Sequence, residues 1–592
     1  MEIHSPAGIL PTIPDDLTVP QFIFNFAHNT RPLRSQEIPW LIEDETGRKI
    51  FETEVRERTT ALANGLWSKY ALAEDDVVLL FSRNHVDYPI AIWAVHTLGG
   101  VISGANPDFS SNELLYQIEA TKARLLIVHP EALETALSAA REANIPLNRI
   151  ITFNRTGTHS NTSPEASQFA TIDEVVEQGQ RIPIGFKEHK LGKGEAKTKL
   201  AFLSFSSGTT GKPKAVAIPH YAPITNVIQL AVHHRVNQDY CPKEDQRFRA
   251  GDVAIGLLPL YHIYGLVINL HFMLYSAMSL VIIPKFNLLG TLDSIVRHRI
   301  SHLVLVPPHI VLLCKHPAVK NYALHKYVRF VMSGAAPLSH EVNQQLFDLL
   351  PDAHIGQAYG MTETCTAVTM FPITSKRGAS GSAGQLMPGC IARVVKQDGS
   401  LAGYNEPGEL VIYTPSVATC YANNEKATKE TFINGWIVTG DEVKIDRNGE
   451  VWVLDRLKEI MKVRGFQVAP AELEGCLLDH ADVSNACVVG IPDDYSGEIP
   501  IAYIVLTAKA AERIKADPTG KASEETKKSI IKHVADNKVK YKHLAGGVEF
   551  VDVIPTSPSG KLLRRVLRER AREMHKQRES RIGHGTRMKA KL

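Results

Sequence analysis

The sequence predicts an α/β protein: a large N-terminal domain of parallel-rich sheets with covering helices, followed by a small α+β C-terminal domain. Three observations carry this. Short apolar runs such as Asp76-Val77-Val78-Leu79-Leu80-Phe81 and Arg124-Leu125-Leu126-Ile127-Val128 alternate with helix-patterned stretches, as expected of parallel strands buried on both faces. The 592 residues are 44% hydrophobic and 22% charged, which is enough apolar surface for more than one domain and excludes a disordered chain. Near Asp455 the pattern changes, and a compact βαβ-like region follows.

Taken in order, Asp76 to Phe81 reads as a strand, Ala91 to Leu98 as a helix and Gly100-Val101-Ile102 as the start of the next strand. Arg124 to Val128 is a strand, Glu131 to Glu142 an Ala-rich helix, and Ile150 to Phe153 a further strand. Val253 to Leu258, His302 to Val306 and Tyr327 to Met332 are more buried-strand candidates. Polar insertions at Arg155 to Gln168, Lys187 to Lys199 and Asn237 to Arg249 read as surface loops. Beyond the boundary come Ala486 to Gly490 and Ala502 to Leu506 as strands, a charged helix from Ser523 to Asn537, and a strand from Val548 to Ile554. The domains are therefore set at 1–455 and 456–565, with a basic tail at 566–592.

Composition excludes several function classes. Lys+Arg 66 against Asp+Glu 63 leaves a charge of +3, no basis for a nucleic-acid-binding polycation, and the basic run from Arg564 to Lys591 has almost no aromatics for stacking on bases. The seven cysteines include no CxxC pair, against a disulfide framework or structural zinc and in favour of a reducing compartment. Residues 256–284 carry no Asp, Glu, Lys or Arg, but Pro259, His262, Asn269, His271 and Ser276 interrupt them; a buried helix and strand are expected, not a membrane span. The first residues lack a secretory pattern. The last three, Ala590-Lys591-Leu592, are similar to the Ser-Lys-Leu peroxisomal address, so a peroxisomal import receptor is an expected partner and the cytoplasm the default location otherwise.

The most informative segment is Leu203-Ser204-Phe205-Ser206-Ser207-Gly208-Thr209-Thr210-Gly211-Lys212-Pro213-Lys214. An apolar strand runs into small hydroxyl residues, two glycines and lysines, which is the chemistry of an anion cradle: backbone N–H groups approach closely, hydroxyls donate, and ammonium groups add charge. The spacing is neither that of a Walker A loop nor G-x-G-x-x-G.

At these residues the chain resembles the adenylate-forming superfamily of acyl-CoA synthetases, adenylation domains and luciferases, most closely the 4-coumarate–CoA ligase-like members. Further segments similar to the family's motifs follow in order: Gly334-Ala335-Ala336-Pro337-Leu338, Gln357-Ala358-Tyr359-Gly360-Met361-Thr362-Glu363, Thr439-Gly440-Asp441, the hinge stretch from Asp455 to Glu474, and Pro555-Thr556-Ser557-Pro558-Ser559-Gly560-Lys561. The resemblance implies activation of a carboxylic acid by ATP to an acyl-AMP, then thiol attack by coenzyme A, with Mg²⁺ assisting. Both steps develop charge on oxygens, so donors and cations aimed at them would dominate catalysis.

The resemblance also implies roles. Ser206, Ser207, Gly208, Thr209, Thr210, Gly211 and Lys214 would hold the ATP phosphates; Thr362 the α-phosphate; Glu363 the Mg²⁺; Ala335, Gln357, Ala358 and Tyr359 the adenine side; Asp441 and Arg456 the ribose. Lys561 is the expected adenylation lysine, and Lys462 and Gln467 match nucleotide contacts. Lys458 falls at the hinge about which the small, mobile domain would turn, bringing Arg464 and Gly465 to coenzyme A, with Lys285 meeting its phosphates. His262 matches an aromatic gate beside the acyl pocket, which Tyr264, Gly334 and Gly360 would help to line. After Glu363 the chain has Thr364-Cys365-Thr366 where the coumarate ligases usually have Ala-Gly-Pro, so an aromatic (cinnamate- or benzoate-like) acid and a medium-to-long-chain fatty acid both stay open. Luciferase-like or carrier-loading chemistry, or a silent nucleotide-binding relative, are the other readings.

Overall fold

The structure is a computed structural model. It describes residues 1–154, 168–206, 213–338, 340–456, 459–463, 466–493, 496–538, 540–556 and 562–574. Most of the strands expected from apolar runs are present. Val77–Phe81, Val101–Ala105, Leu125–Val128 and Ile150–Thr152 form a parallel array, to which Leu200–Ser206 adds in parallel and Lys214–Pro219 and Cys420–Tyr421 add antiparallel. A second, nine-stranded sheet has a parallel centre running from His354–Met361 through Phe330–Ser333, His302–Leu305, Val253–Gly256 and Ser279–Ile282 to Leu41–Glu43. The strand expected from Tyr327 starts only at Phe330, because Leu324–Lys326 closes a 3₁₀ turn just before it.

The helix between the two parallel layers, Asp87–Thr97, is buried on nearly all sides, so its sequence shows no amphipathic stripe. The uncharged stretch 256–284 is the buried helix and strand that the sequence implied: Tyr264–Phe272 winds as a π-helix, continues as Met273–Tyr275, and Ser279–Ile282 joins the sheet. Among the described residues no helix is long and apolar enough to cross a membrane.

A third sheet is antiparallel. Glu2–His4, Ile391–Val395, Gly408–Tyr413, Trp436–Ile445 and Val451–Arg456 build it, with alternating burial along Gly408–Tyr413. One expectation is corrected here. The segment from Asn237 to Arg249 is not wholly a surface loop, since Arg247 is 0% and Phe248 3% exposed. Among the described residues Arg247 has no carboxylate partner; its guanidinium stacks over the Phe371 ring at 4.0 Å and donates to the carbonyls of Phe371, Pro372 and Ser375. Five donors in a rigid fork let carbonyl oxygens satisfy a buried arginine in place of an anion.

The C-terminal domain has its own apolar clusters, drawn wholly from residues between Met461 and Ala571. Val483–Asp493 and Gly497–Leu506 form a long antiparallel hairpin, and Gly547–Phe550 returns parallel to the second strand after helices Ala508–Lys515 and Lys521–Asn537, a true βαβ crossover. The large domain touches it through the end of helix Pro307–Lys315. There Lys315 Nζ donates to the carbonyls of Leu478 at 3.0 Å and Val483 at 3.3 Å. Beside it, burial and the neighbouring carboxyl of Glu341 push Asp479 up to about 7. A folded-state value above the usual carboxylate range means that the favourable contact is complete in acid and is lost as pH rises through about 7. Carbon-13 NMR of the Asp479 carboxyl should therefore show a midpoint near neutrality, and Glu341→Gln should return it toward the ordinary range. A normal midpoint in the unmodified protein would contradict the pairing.

Candidate nucleotide and acyl site

The carboxyl ends of the parallel strands in the second sheet converge with the mouth of the first. Leu200–Ser206 ends at Ser206, whose Cα pairs across the antiparallel ladder with Lys214; the cradle residues Ser207 to Gly211 connect the two strands and lie outside the described residues. From the second sheet, Phe330–Ser333 leads into Gly334 and Ala335, and His354–Met361 carries Gln357, Ala358, Tyr359 and Gly360 before a single 3₁₀ turn, Thr362–Thr364, presents Thr362 and Glu363.

Two polar clusters result. In the first, the Glu363 Oε1 oxygen accepts from Ser206 Oγ at 3.0 Å and from Tyr421 Oη at 2.7 Å. The backbone carbonyl of Glu363 accepts from Ala418 N at 2.9 Å, which fixes the turn. Lys214 Nζ lies 4.7 Å from the centre of the Tyr421 ring, and among the described residues it has no carboxylate partner. Burial and the Glu363 carboxylate push the Tyr421 phenol up, so it stays a donor.

In the second, Tyr359 Oη donates to Asp441 Oδ2 at 2.6 Å, and Arg456 Nε stands 3.4 Å from Asp441 Oδ1. Asp441 and Arg456 are cross-strand partners in the third sheet, and the Asp441 N–H is held by Thr439 Oγ1 at 3.1 Å. Thr439-Gly440-Asp441, which in isolation also spells a turn, lies inside the strand Trp436–Ile445. Burial and then Asp441 raise the Tyr359 phenol well above its ordinary value.

The walls are close-packed around small residues. A Cβ at Gly360 would stand 1.7 Å from the Thr366 carbonyl oxygen, and one at Gly334 would stand 2.9 Å from Tyr264 Oη. Only glycine fits at the first, and the second lets the Tyr264 ring lie against the backbone. Ala335 (φ 75°), Cys365 (φ 53°) and Thr366 (φ 102°) hold left-handed conformations that non-glycine residues rarely adopt, and all three rim this site. Thr366 Oγ1 donates to the Ile263 carbonyl at 3.2 Å, tying the Glu363 turn to the segment with His262 and Tyr264. His262 Nδ1 accepts from the Tyr264 N–H at 3.2 Å. At this site Gln357 Nε2, whose own Oε1 accepts from Leu338 N at 2.9 Å, and Ser333 Oγ on the paired position of the neighbouring strand are buried with no hydrogen-bond partner among the described residues.

Of the residues expected from sequence, Ser206, Lys214, Thr362, Glu363, Gln357, Ala358, Tyr359, Gly360, Gly334, Ala335, His262, Tyr264, Asp441 and Arg456 belong to this region. Lys285 is exposed just past the strand Ser279–Ile282, and Lys462 is exposed on Met461–Val463 in the C-terminal domain; neither hydrogen-bonds to the two clusters. Gln467 pairs with Lys462 through the backbone, but its side chain lies outside the described residues, as do Lys458, Arg464, Gly465 and Lys561. Tyr421 was not foreseen. Nothing around Ala418-Thr419-Cys420-Tyr421 marks it; only its pairing with Val216 brings it here.

Comparison with known proteins gives the family. Residues 36–422 match the family model of the AMP-binding enzymes, and residues 472–561 match that of the AMP-binding enzyme C-terminal domain. The chain is 34% identical over 538 residues to 4-coumarate–CoA ligase 3 of Arabidopsis thaliana, covering 90% of this chain and 88% of the relative. It is 32% identical to the acyl-CoA ligase AFT1-1 of Alternaria alternata, covering 94% of each. The fold matches a solved anthranilate CoA ligase in complex with anthranoyl-AMP at a TM-score of 0.79 and 22% identity, covering 94% of this chain and 98% of that one. With two family models in register and full-length relatives above 30% identity, the chain belongs to the AMP-binding enzyme family.

Proposed function

We propose that the protein is an AMP-forming acid–CoA ligase. A carboxylate attacks the α-phosphorus of ATP, pyrophosphate leaves, and the thiol of coenzyme A then displaces AMP from the acyl-AMP to give the thioester. The observation that supports the reading is a pair of polar clusters, Ser206, Lys214 and Glu363 in one and Tyr359, Asp441 and Arg456 in the other, joined through the segment from Tyr359 to Glu363. A triphosphate needs cations and hydroxyl donors, and a ribose diol needs a carboxylate acceptor. The unpartnered Gln357 Nε2 suits an acceptor-bearing base beside Tyr359.

Glu363 fits a hard divalent cation, because its Oε2 oxygen has no donor among the described residues. Mg²⁺ held there would neutralise charge on the phosphates. Thr362 and Lys561 would then bind the α-phosphate and the acid, with Ser207, Gly208, Thr209, Thr210 and Gly211 around the outer phosphates. In this reading the small domain, 456–565, turns about Lys458 to exchange the Lys561 loop for the Arg464-Gly465 face at the second step, and Lys285 meets the coenzyme A phosphates. The large domain, 1–455, keeps the acyl pocket beside His262 and Tyr264. The acid in this reading is an aromatic one of the cinnamate or benzoate kind or a medium-to-long fatty acid, in keeping with the coumarate and acyl-CoA ligases to which the chain is similar. The tail, 566–592, carries Ala590-Lys591-Leu592 to the peroxisomal import receptor.

The test is a panel of aryl and fatty acids with the purified full chain. Acid-dependent exchange of pyrophosphate into ATP, and AMP release that requires coenzyme A, are the expected results. Exchange without any use of coenzyme A would point to luciferase-like or carrier-loading chemistry, and no exchange with any acid would sink the reading.

A further inference from the structure

Glu363 has two carboxylate oxygens, and the protein treats them unequally. Oε1 accepts from both Ser206 and Tyr421, at 3.0 and 2.7 Å, while no described residue donates to Oε2. Tyr421 is 6% exposed and comes from the edge strand Cys420–Tyr421, where it pairs with Val216, two residues along the chain from Lys214. Its N–H donates to Thr428 Oγ1 at 3.0 Å, which holds the strand end in place. The phenol reaches Glu363 while the ring carries the Lys214 ammonium 4.7 Å from its centre.

Lys214 and Ser206 are cross-strand partners, so the lysine starts beside a residue that bonds Glu363, yet lysine and carboxylate form no ion pair. Opposite charges this near in a partly buried site attract strongly. The ammonium lies instead over the Tyr421 ring, and a cation resting on a ring face gives up less than one left in apolar surroundings.

We propose that Tyr421 is a positioning residue of the nucleotide site. Its phenol fixes Glu363 so that Oε2 alone faces a divalent cation, and its ring insulates Lys214 from that carboxylate, leaving the ammonium for phosphate. This rests on the reading of Glu363 as the cation ligand. Partners that orient a metal-binding carboxylate typically set its affinity by about ten- to a hundredfold. The phenol donates a charge-assisted bond, which is the strong kind.

The experiment uses the full chain with Mn²⁺ in place of Mg²⁺, titrated by electron paramagnetic resonance in the presence of α,β-methylene-ATP. Tyr421→Phe keeps the ring and removes one oxygen; it should weaken Mn²⁺ binding by about tenfold with an unchanged thermal midpoint. Tyr421→Leu removes the insulation as well and should weaken it further. Lys429→Ala, an exposed control on the helix Glu425–Thr431 that follows the strand, should bind Mn²⁺ as the unmodified protein does. Glu363→Gln separates the two ideas. If it binds Mn²⁺ normally, the cation-ligand reading fails and this proposal with it. If Glu363→Gln loses Mn²⁺ while Tyr421→Phe keeps the original affinity, the role of Tyr421 alone is overturned.

Discussion

Lys561→Ala is expected to lower acyl-AMP formation by about a hundred- to a thousandfold while leaving conversion of supplied acyl-AMP to the thioester nearly intact. The size follows from removing one preorganised donor aimed at charge that develops in the transition state. The selectivity follows from the two-step reading, in which this lysine serves only the first step. The described residues on either side of the loop are tied to each other. Thr556 and Leu562 bridge across its base, and Leu563 N donates to the Pro555 carbonyl at 2.9 Å, so its two feet are stapled together. Three residues on, Arg564 pairs with Glu459 and Glu474, each at 2.6 Å. Glu474 also accepts from Val488 N at 2.8 Å, which fastens the pair to the C-terminal sheet. Arg564 thus ties the residues that follow the Lys561 loop to Glu459, just after Lys458. The check is single-turnover kinetics of each half-reaction with the same preparation. Equal loss in both would refute the division of labour.

The parallel sheets were legible because strands buried on both faces must be apolar throughout, and runs such as Leu125–Val128 show it without help from context. The third sheet was not, because its strands are half-exposed: Gly408–Tyr413 alternates inward and outward, but Val411 and Tyr413 stand with Glu409 on the outward side, so hydrophobicity does not follow the alternation. Arg247 misled for a different reason. A charged residue in a polar stretch normally marks solvent, and only the distant carbonyls from Phe371 to Ser375 make its burial affordable. At the site, Asp441 and Arg456 were paired by motif, and the sheet explains the pairing through register. Tyr421 had no local mark at all, since its meaning comes from contacts with residues 58 and some 200 positions away. Motifs record groups that touch substrate; groups that hold those groups are written in topology.

Acidification should unfold this protein cooperatively between about pH 6.5 and 4, and buried histidines are the cause. His96 is pushed down to about 3, and His233, His271 and His302 to about 4, in each case by burial first; His220 and His234 lie well below their ordinary value for the same reason. These rings are packed against aromatics, as His234 is against Phe248 at 4.7 Å and His96 against Phe202 at 4.9 Å. A depressed folded-state value means that the neutral ring contributes its full stability above the unfolded value near 6.5, and that this is lost as pH falls toward the folded value. Each such ring removes about 1.4 kcal/mol per pH unit in that window, and a whole domain has only about 5–15 kcal/mol to lose. A few rings titrating together therefore suffice. Urea midpoints measured by circular dichroism from pH 7.5 to 4.5 should fall steeply, with an uptake of more than one proton on unfolding. His234→Phe keeps the aromatic packing and deletes one titrating ring, so it should shift the acid transition to lower pH. A urea midpoint that stays flat down to pH 4.5 would show that the unfolded chain gains no such protons, and that these rings are not neutral by virtue of the fold.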